Sequence, residues 1–138
     1  MAKDIDASEI KCILYDFDGV MTDNRVLVDQ NGIEAVFVNR GDGYAVARIR
    51  DKGINQAIIS TEKNSVVERR AEKLGIPIIH GVDDKGSIVR QYCKENNTEC
   101  ILHTYHKVAK ELDCKKFHVP LHVLKSNPHI SKEFNEIG

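Results

Sequence analysis

Residues 13–24 read ILYDFDGVMTDN, an apolar run that leads directly into two aspartates separated by one residue. Asp16 and Asp18 stand at positions i and i+2, so an extended backbone directs both carboxylates to the same side. Two carboxylates this close repel each other unless a cation neutralises them or one keeps its proton. A magnesium ion with oxygen ligands would neutralise the pair. If instead one carboxylate keeps its proton, the two would divide into a nucleophile and an acid/base.

The composition predicts one globular domain over residues 1–138, because 41% hydrophobic and 30% charged residues are ordinary for such a fold. The net charge of −1 gives no electrostatic reason to expect nucleic acid or an anionic membrane as a partner. The apolar runs are too short to cross a bilayer. The first twelve residues lack the apolar stretch of a secretion signal, and the cysteines form no CxxC pair, so we expect a cytoplasmic protein.

Short apolar runs alternate along the chain with charged segments of helical length. This alternation predicts an α/β fold of Rossmann-like, three-layer type, in which helices cover both faces of a parallel sheet. Asn31 and Gly32 stand between two β-rich runs and predict a small β-hairpin over residues 24–38, inserted after the first strand. Strands are predicted at residues 10–16, 54–60, 76–80, 99–104 and 119–123, and helices at residues 42–52, 64–74, 85–96 and 106–117.

Ligands of open parallel sheets bind at the carboxyl ends of the strands, and several polar residues are predicted at that rim. Ser60 and Thr61 end an apolar strand directly before a helix, where hydroxyls and unpaired N–H groups form an anion site. Thr61 or a neighbour could instead serve only as the cap of that helix. Lys85 opens a helix, where a cation is unfavourable to the helix dipole, so we expect it to counter the Asp16 charge and a phosphate. The alternative is a surface lysine offset by the two acids before it.

Three motifs occur in a fixed order: DFDGVMTD at residues 16–23, AIIST at residues 57–61 and GVDDK at residues 81–85. This order resembles the haloacid dehalogenase superfamily. More narrowly, it resembles the branch of 3-deoxy-D-manno-octulosonate 8-phosphate phosphatases and nonulosonate 9-phosphate phosphatases. The branch patterns RGDG, VxxRxxxLGI and HGxxDK match NRGDGYAV, VVERRAEKLGI and HGVDDK here, and the whole match covers about residues 9–98.

The resemblance implies a role for each matching residue. Asp16 would be the nucleophile that becomes an aspartyl-phosphate, and Asp18 the acid/base that protonates the leaving hydroxyl and then activates water. Ser60 and Lys85 would hold the phosphoryl group, since a dianionic phosphate approaches a carboxylate only when cations and donors cancel the repulsion. Mg²⁺ would be held by Asp16, the backbone carbonyl of Asp18 and, as a stand-in, Glu111. The sugar-acid phosphate substrate would contact Arg40, Asp42, Gly43, Thr61 and Arg70.

Two of these substrate contacts have simpler alternatives, and the resemblance also predicts an assembly. Asp42 could cap its helix, and Arg70 could be a solvated helix arginine instead of meeting a sugar carboxylate from a neighbouring subunit.

In the family, four hairpins pack into a central barrel, which leaves no exposed strand edge, so a homotetramer is expected.

The fourth motif of the family, GNDxND, has no counterpart in HTYHKVAKELDC (residues 103–114), where Lys107 and Lys110 stand in place of acids. Glu111 could replace the last acid if the loop holds one extra residue, whereas a lysine near the metal weakens Mg²⁺ binding. The family's GGxGAxRE tail is also not found in these 138 residues. Two hypotheses stay open: a Mg²⁺-dependent hydrolase of 3-deoxy-octulosonate 8-phosphate or nonulosonate (sialic-acid-type) 9-phosphate in sugar-acid biosynthesis, or a catalytically silent binding or oligomerisation module associated with sialic-acid-type sugar activation.

Overall fold

The computed structural model describes residues 3–4, 7–81, 83–98, 101–103, 116–118, 125–126, 128–132 and 136–137. Contacts between Cα atoms divide the chain into two compact units, one of residues 10–85 and one of residues 1–9 together with residues 86–138. Each unit contains its own parallel sheet. The α/β fold class is thus confirmed, while a single domain over residues 1–138 remains a prediction.

Strands and helices alternate along the described residues in the order that the sequence predicts, and the predicted elements of residues 10–98 are confirmed to within two residues at each end. They are β1 (Lys3–Asp4), a 3₁₀ helix (Ala7–Glu9), β2 (Cys12–Tyr15), β3 (Thr22–Val28), β4 (Glu34–Val38), α1 (Gly41–Asp51), β5 (Asn55–Ser60), α2 (Ser65–Leu74), β6 (Ile78–His80), α3 (Lys85–Glu95), β7 (Ile101–His103), β8 (Lys116–His118), a second 3₁₀ helix (Pro128–Lys132) and β9 (Glu136–Ile137).

The unit of residues 10–85 is built on a parallel sheet with the strand order β2-β5-β6. Tyr15 pairs with Ile58, and Ser60 pairs with His80, so the carboxyl ends of the three strands lie at one edge of the sheet. β5 is buried from its second residue to Ser60, as expected for the middle strand of a parallel sheet. This register gives the unit a rim at which residues from three strand ends can meet.

Helices α1 and α2 contribute to one hydrophobic core with β5 and the segment after β2. On α2, Val67, Ala71 and Leu74 are buried at the i, i+4, i+7 spacing of an amphipathic helix. Asn64 caps this helix by accepting a hydrogen bond from the Val66 N–H at 3.0 Å, so Asn64, and not Thr61, is its cap. The buried members of the core are Phe17, Met21, Val46, Ile58, Val67, Ala71, Leu74 and Ile76.

β3 and β4 form the predicted antiparallel hairpin, which begins at Thr22, two residues earlier than expected. Its turn is closed by Asp29, whose carboxylate accepts hydrogen bonds from the N–H groups of Asn31 (2.8 Å) and Ile33 (2.9 Å). Gly32 has a φ of 78°, a conformation that glycine adopts at little steric cost. Val36 packs against the core, which attaches the hairpin to its own unit.

The second unit contains a parallel sheet with the strand order β1-β9-β8-β7. The predicted helix over residues 106–117 is wrong at its end, because residues 116–118 form β8 and pair with β7. The sequence KFHV alternates polar and apolar residues with the period of a strand, and pairing with β7 satisfies the backbone groups that a helix would have satisfied internally. Residues 104–115, with Glu111, and the predicted strand 119–123 lie outside the described residues. Within the described chain, no helix combines the length and apolar character that a bilayer span requires.

Candidate active site

Asp16, the first residue after β2, lies beside the ammonium of Lys85, the first residue of α3. Asp16 Oδ1 accepts hydrogen bonds from Lys85 Nζ at 2.6 Å and from the Phe17 N–H at 2.8 Å. The side chains of Asp16 and Lys85 are 48% and 33% exposed, so the pair is open to solvent and to ligands. Among the described residues, Asp16 Oδ2 has no hydrogen-bond partner, which leaves one anionic oxygen available at the rim.

Asp18 lies in a tight turn that the buried Phe17 holds in place. The Phe17 carbonyl accepts a hydrogen bond from the Met21 N–H at 2.8 Å, and Gly19 has a φ of 76°. Thr22 Oγ1 accepts a hydrogen bond from the Gly19 N–H at 3.2 Å, which closes the turn from its other end. The half-buried Asp18 carboxylate accepts no hydrogen bond from the described residues, so it is free to meet a proton or a cation. The sequence indicated both acids but not the part played by Thr22.

Ser60 ends β5 at the same sheet edge as Asp16. Because Tyr15 pairs with Ile58, Asp16 lies one residue and Ser60 two residues beyond that pair. Ser60 is 1% exposed, and its Oγ accepts a hydrogen bond from the Glu62 N–H at 3.1 Å, which leaves the hydroxyl proton to donate elsewhere. Thr61 follows in an exposed bend. The structure therefore brings Ser60, Thr61, Asp16 and Lys85 to one edge, as predicted.

The start of α1 carries Arg40, directly before the helix, and Asp42 and Gly43 in its first turn. Arg40 occupies the N-cap position without a side-chain cap, and Asn39 Oδ1, which the sequence did not indicate, accepts a hydrogen bond from the Gly41 N–H at 2.8 Å. Asp42 lies in the first turn and does not cap the helix, although its charge is favourable at that end.

Arg70 lies on α2 and contacts the residue that precedes Arg40. Its Nη2 donates a hydrogen bond to the Asn39 carbonyl at 2.8 Å. The Arg70 Nε is buried and has no hydrogen-bond partner among the described residues. The alternative of a freely solvated helix arginine therefore does not hold for Arg70, and one of its donors is left for a water or a ligand.

A buried polar chain connects Tyr15, which precedes Asp16, to helix α1. The Tyr15 hydroxyl donates to Gln56 Oε1 at 2.8 Å, and Gln56 Nε2 donates to the Val46 carbonyl at 2.9 Å. Burial raises the pKa of the Tyr15 phenol, and the negative charges of Asp42 and Cys12 add to the rise. Asp42 thus lies close enough to β2 to act on its last residue. A glutamine inside the apolar run INQAIIS was the only sequence signal of this connection.

The oxygen donors at the rim fit a divalent cation of the magnesium type. Two carboxylates, Asp16 and Asp18, each keep at least one oxygen without a hydrogen-bond partner in the described part of the chain. Hard oxygen donors suit Mg²⁺, which keeps several water ligands and needs only one or two carboxylates from the protein. The described residues contain no group of three His, Cys, Asp or Glu side chains that could hold a metal. The third predicted ligand, Glu111, lies outside them.

No protein-family model matches the chain. Solved structures that resemble it include a hydrolase of the haloacid dehalogenase family from Streptomyces avermitilis, 31% identical with a TM-score of 0.72 over 97% of this chain and 78% of that one. They also include the 3-deoxy-D-manno-octulosonate 8-phosphate phosphatase of Moraxella catarrhalis in complex with magnesium ion, phosphate ion and KDO. It is 32% identical with a TM-score of 0.62, over 68% of this chain and 56% of that one.

Curated relatives show the same likeness over part of their length. The 3-deoxy-D-manno-octulosonate 8-phosphate phosphatase of Yersinia pestis is 29% identical over 110 residues, which are 79% of this chain and 50% of that protein. The N-acylneuraminate cytidylyltransferase A of Danio rerio is 24% identical over 92 residues, 65% of this chain and 21% of that protein. The chain therefore spans half or less of these relatives.

The chain belongs to the haloacid dehalogenase superfamily, as the order of its motifs predicts. Within that superfamily, its similarity extends to 3-deoxy-D-manno-octulosonate 8-phosphate phosphatases over part of their length.

Proposed function

We propose that this chain is a Mg²⁺-dependent phosphatase that hydrolyses a sugar-acid phosphate, either 3-deoxy-octulosonate 8-phosphate or a nonulosonate 9-phosphate. The observation that carries the proposal is the Asp16–Lys85 contact of 2.6 Å, with Asp18 two residues away and its carboxylate unpaired in the described part of the chain. A cation held against one of two adjacent acids suits the approach of a dianionic phosphate. The magnesium complex of the Moraxella catarrhalis relative supports the choice of metal.

In this proposal Asp16 is the nucleophile and Asp18 the acid/base. The free Oδ2 of Asp16 attacks phosphorus, the bond from phosphorus to the sugar oxygen breaks, and that oxygen takes the proton from Asp18. Asp18 then takes a proton from water, whose oxygen attacks the aspartyl-phosphate and releases phosphate and the Asp16 carboxylate. Lys85 and the Ser60 hydroxyl would hold the phosphoryl oxygens. Mg²⁺, held by Asp16 and the Asp18 carbonyl with Glu111 as the predicted third ligand, would add positive charge against the phosphate.

The sugar acid would lie against the start of α1 and the loop after β5. The negative charge of Asp42 contributes, after burial, to the raised pKa of Tyr15, the residue that precedes the nucleophile. Arg70 carries a buried Nε without a partner in the described residues, which suits an anionic group of the substrate. The residues proposed to contact the substrate are Arg40, Asp42, Gly43, Thr61 and Arg70.

The proposal is tested by phosphate release from the two sugar-acid phosphates in the presence of Mg²⁺. We expect release by the wild type and background rates for Asp16→Asn, because an amide is a poor nucleophile. Asp51→Asn is the matched control, since Asp51 is an exposed acid at the end of α1. Release that survives in Asp16→Asn would contradict the assigned nucleophile.

The second candidate is a catalytically silent module that binds a sugar phosphate or serves assembly. It is favoured by the likeness to the Danio rerio cytidylyltransferase, and by Lys107 and Lys110 in place of the acids of the fourth motif. This candidate predicts no phosphate release and no change of melting temperature when Mg²⁺ is added. A rise of melting temperature with Mg²⁺ that is lost in Asp16→Asn would argue against it.

We further propose a homotetramer assembled through the hairpin, in the cytoplasm. One face of the hairpin, here named the assembly face, is formed by Leu27, Ile33, Ala35 and Phe37, since Leu27 pairs with Ala35 and side chains two residues apart share a face. Leu27, Ile33 and Phe37 are 62%, 64% and 68% exposed, although they are apolar. A contiguous apolar surface of this kind is typical of a protein interface.

A further inference from the structure

Asn64 connects two parts of the unit of residues 10–85 through a single side chain. Its Oδ1 accepts the hydrogen bond from Val66 that starts α2, and its Nδ2 donates to Glu34 Oε2 at 2.6 Å. Glu34 is the first residue of β4 and lies 30 residues earlier in the chain. The start of α2 is therefore tied to the hairpin by a hydrogen bond to a carboxylate, which is stronger than one between neutral groups.

A second hydrogen bond holds the other end of β4 to the same helix. Arg70 Nη2, about two turns further along α2, donates to the carbonyl of Asn39, which follows β4. Between these two contacts Val36 packs against the hydrophobic core. The two ends of β4 are thus held to α2 by hydrogen bonds, while its middle packs against the shared core, so α2 and the hairpin are coupled in position.

The exposed loop of residues 61–63 connects this arrangement to the candidate active site. It begins after the buried Ser60, whose hydroxyl accepts the Glu62 N–H, and it ends at Asn64. Between these ends the Glu62 carbonyl accepts a hydrogen bond from the Gly81 N–H at 3.3 Å, and the Lys63 side chain lies against Gly81. The conformation of this short loop therefore depends on where Asn64 is held.

We infer that Glu34 and Asn64 form a positioning pair that sets the loop of residues 61–63, and with it Thr61 and the backbone N–H groups that the sequence predicts for an anion site. The inference rests on the proposed function for the ligand, but the coupling itself does not depend on it. The contact is exposed, so its loss costs the folded state little, whereas the loop loses the restraint at one of its two ends. The hairpin that carries the assembly face thereby also holds the phosphate-binding loop.

The pair is tested by reversing its donor and acceptor. Asn64→Asp keeps the helix cap but places two carboxylates in contact, which repel. In the double variant Glu34→Gln with Asn64→Asp, the glutamine amide donates to the aspartate, so the hydrogen bond is restored in the opposite direction. Glu68→Gln, at an exposed position in the first turn of α2, controls for the loss of a carboxylate.

Hydrogen exchange of the ligand-free protein and steady-state kinetics are the two measurements. We expect Asn64→Asp to raise amide exchange in residues 61–66 and 30–38 by about three- to tenfold, the change expected for loss of one hydrogen bond. It should also raise KM and the inhibition constant of inorganic phosphate by a similar factor, with kcat within about twofold of the wild type. The double variant should return each value to that of the wild type.

Exchange that is unchanged in Asn64→Asp, or that stays raised in the double variant, would overturn the inference. So would a fall of kcat without a change of KM, since a loop that only binds phosphate acts on affinity. If the wild type releases no phosphate, the proposed function fails, and the exchange measurement still decides whether Glu34 and Asn64 hold the loop.

Discussion

Lys85 Nζ lies 2.6 Å from Asp16 Oδ1, and the two residues are 69 positions apart in the sequence. Both side chains are partly exposed, and exposed ion pairs contribute about 1 kcal/mol or less to stability. A lysine at the start of a helix is also unfavourable to the helix dipole. Stability alone therefore does not explain why a cation stands here, whereas a phosphate-binding role for the pair does.

Replacement of Lys85 by methionine should separate activity from stability. We expect phosphate release to fall by about a hundredfold or more, because one preorganised charge on the transferring phosphoryl group is lost. The free energy of unfolding should change by less than about 1 kcal/mol. Lys94→Met, at an exposed position of α3, is the control. Equal activity of the two variants, measured as kcat on the same substrate, would contradict a role of Lys85 in the site.

The partly buried phenol of Tyr15 should make stability fall at high pH. Its pKa is raised in the folded state above the unfolded value of about 10, so its contribution is complete below about pH 10. That contribution is lost as pH rises through the folded-state pKa, because the unfolded chain releases the proton first. The Tyr15→Phe variant lacks the hydrogen bond to Gln56 and should therefore be less stable than the wild type by about 1 kcal/mol at pH 8. Its free energy of unfolding should fall less than that of the wild type between pH 8 and pH 11.

Urea denaturation at a series of pH values checks this expectation. Tyr44→Phe is the matched control, because Tyr44 is 69% exposed and should leave the pH dependence of the wild type unchanged. Parallel curves for the wild type and Tyr15→Phe between pH 8 and pH 11 would show that Tyr15 is not the group responsible.

Two glycines that follow helices should differ in their tolerance of alanine. Gly53 and Gly75 have φ values of 75° and 65°, so alanine at either position is strained by about 1 kcal/mol. A Cβ at Gly53 would meet nothing within 4 Å, whereas one at Gly75 would lie 3.2 Å from Arg50 Nη2. That nitrogen donates to the carbonyls of Leu74 (2.6 Å) and Gly75 (3.1 Å).

Gly75→Ala should therefore destabilise the protein by up to about 1 kcal/mol more than Gly53→Ala, through disturbance of the Arg50 hydrogen bonds. Chemical denaturation of the two variants side by side measures the difference. Equal losses of unfolding free energy in the two variants would mean that the Arg50 side chain moves aside without loss of stability.

A charge on the assembly face should break the proposed tetramer. Burial of a large apolar side chain such as Phe37 contributes roughly 1.5–3 kcal/mol per copy, and an aspartate there would be buried without a partner. We expect Phe37→Asp to be monomeric by light scattering after gel filtration, while Tyr44→Asp, equally exposed but on α1, stays tetrameric. A monomeric wild type at micromolar concentration would rule out assembly through this face.

The limits of the helices were predictable because they depend on neighbouring residues. Asn64 and Gly75 mark the ends of α2 through a side-chain cap and a left-handed backbone, and both signals are local in the sequence. The strand over residues 116–118 was not predictable in the same way, because its pairing with β7 competes with a helical pattern that local residues also support.

The sequence predicts which residues form the candidate site, but not which residues hold the surrounding segments in place. Asp16, Asp18, Ser60 and Lys85 follow strand ends or open a helix, positions that the topology of a parallel sheet brings together. Asn39, whose carbonyl accepts a hydrogen bond from Arg70, and Glu34, whose carboxylate accepts one from Asn64, carried no such signal. Their partners lie about 30 residues away, and no periodicity or motif indicates which pairs will meet.

The alternation of strands and helices, the hairpin and the identity of the rim acids follow from local sequence, because each depends on interactions within a few residues. The sequence led us to expect that Lys85 counters the Asp16 charge, but the direct contact between them, and the hydrogen bond between Asn64 and Glu34, are known only from the folded structure. The first contact requires the register of β2 against β5, and the second requires α2 and Val36 of β4 to share one core; burial of that core, and not any local preference, sets both.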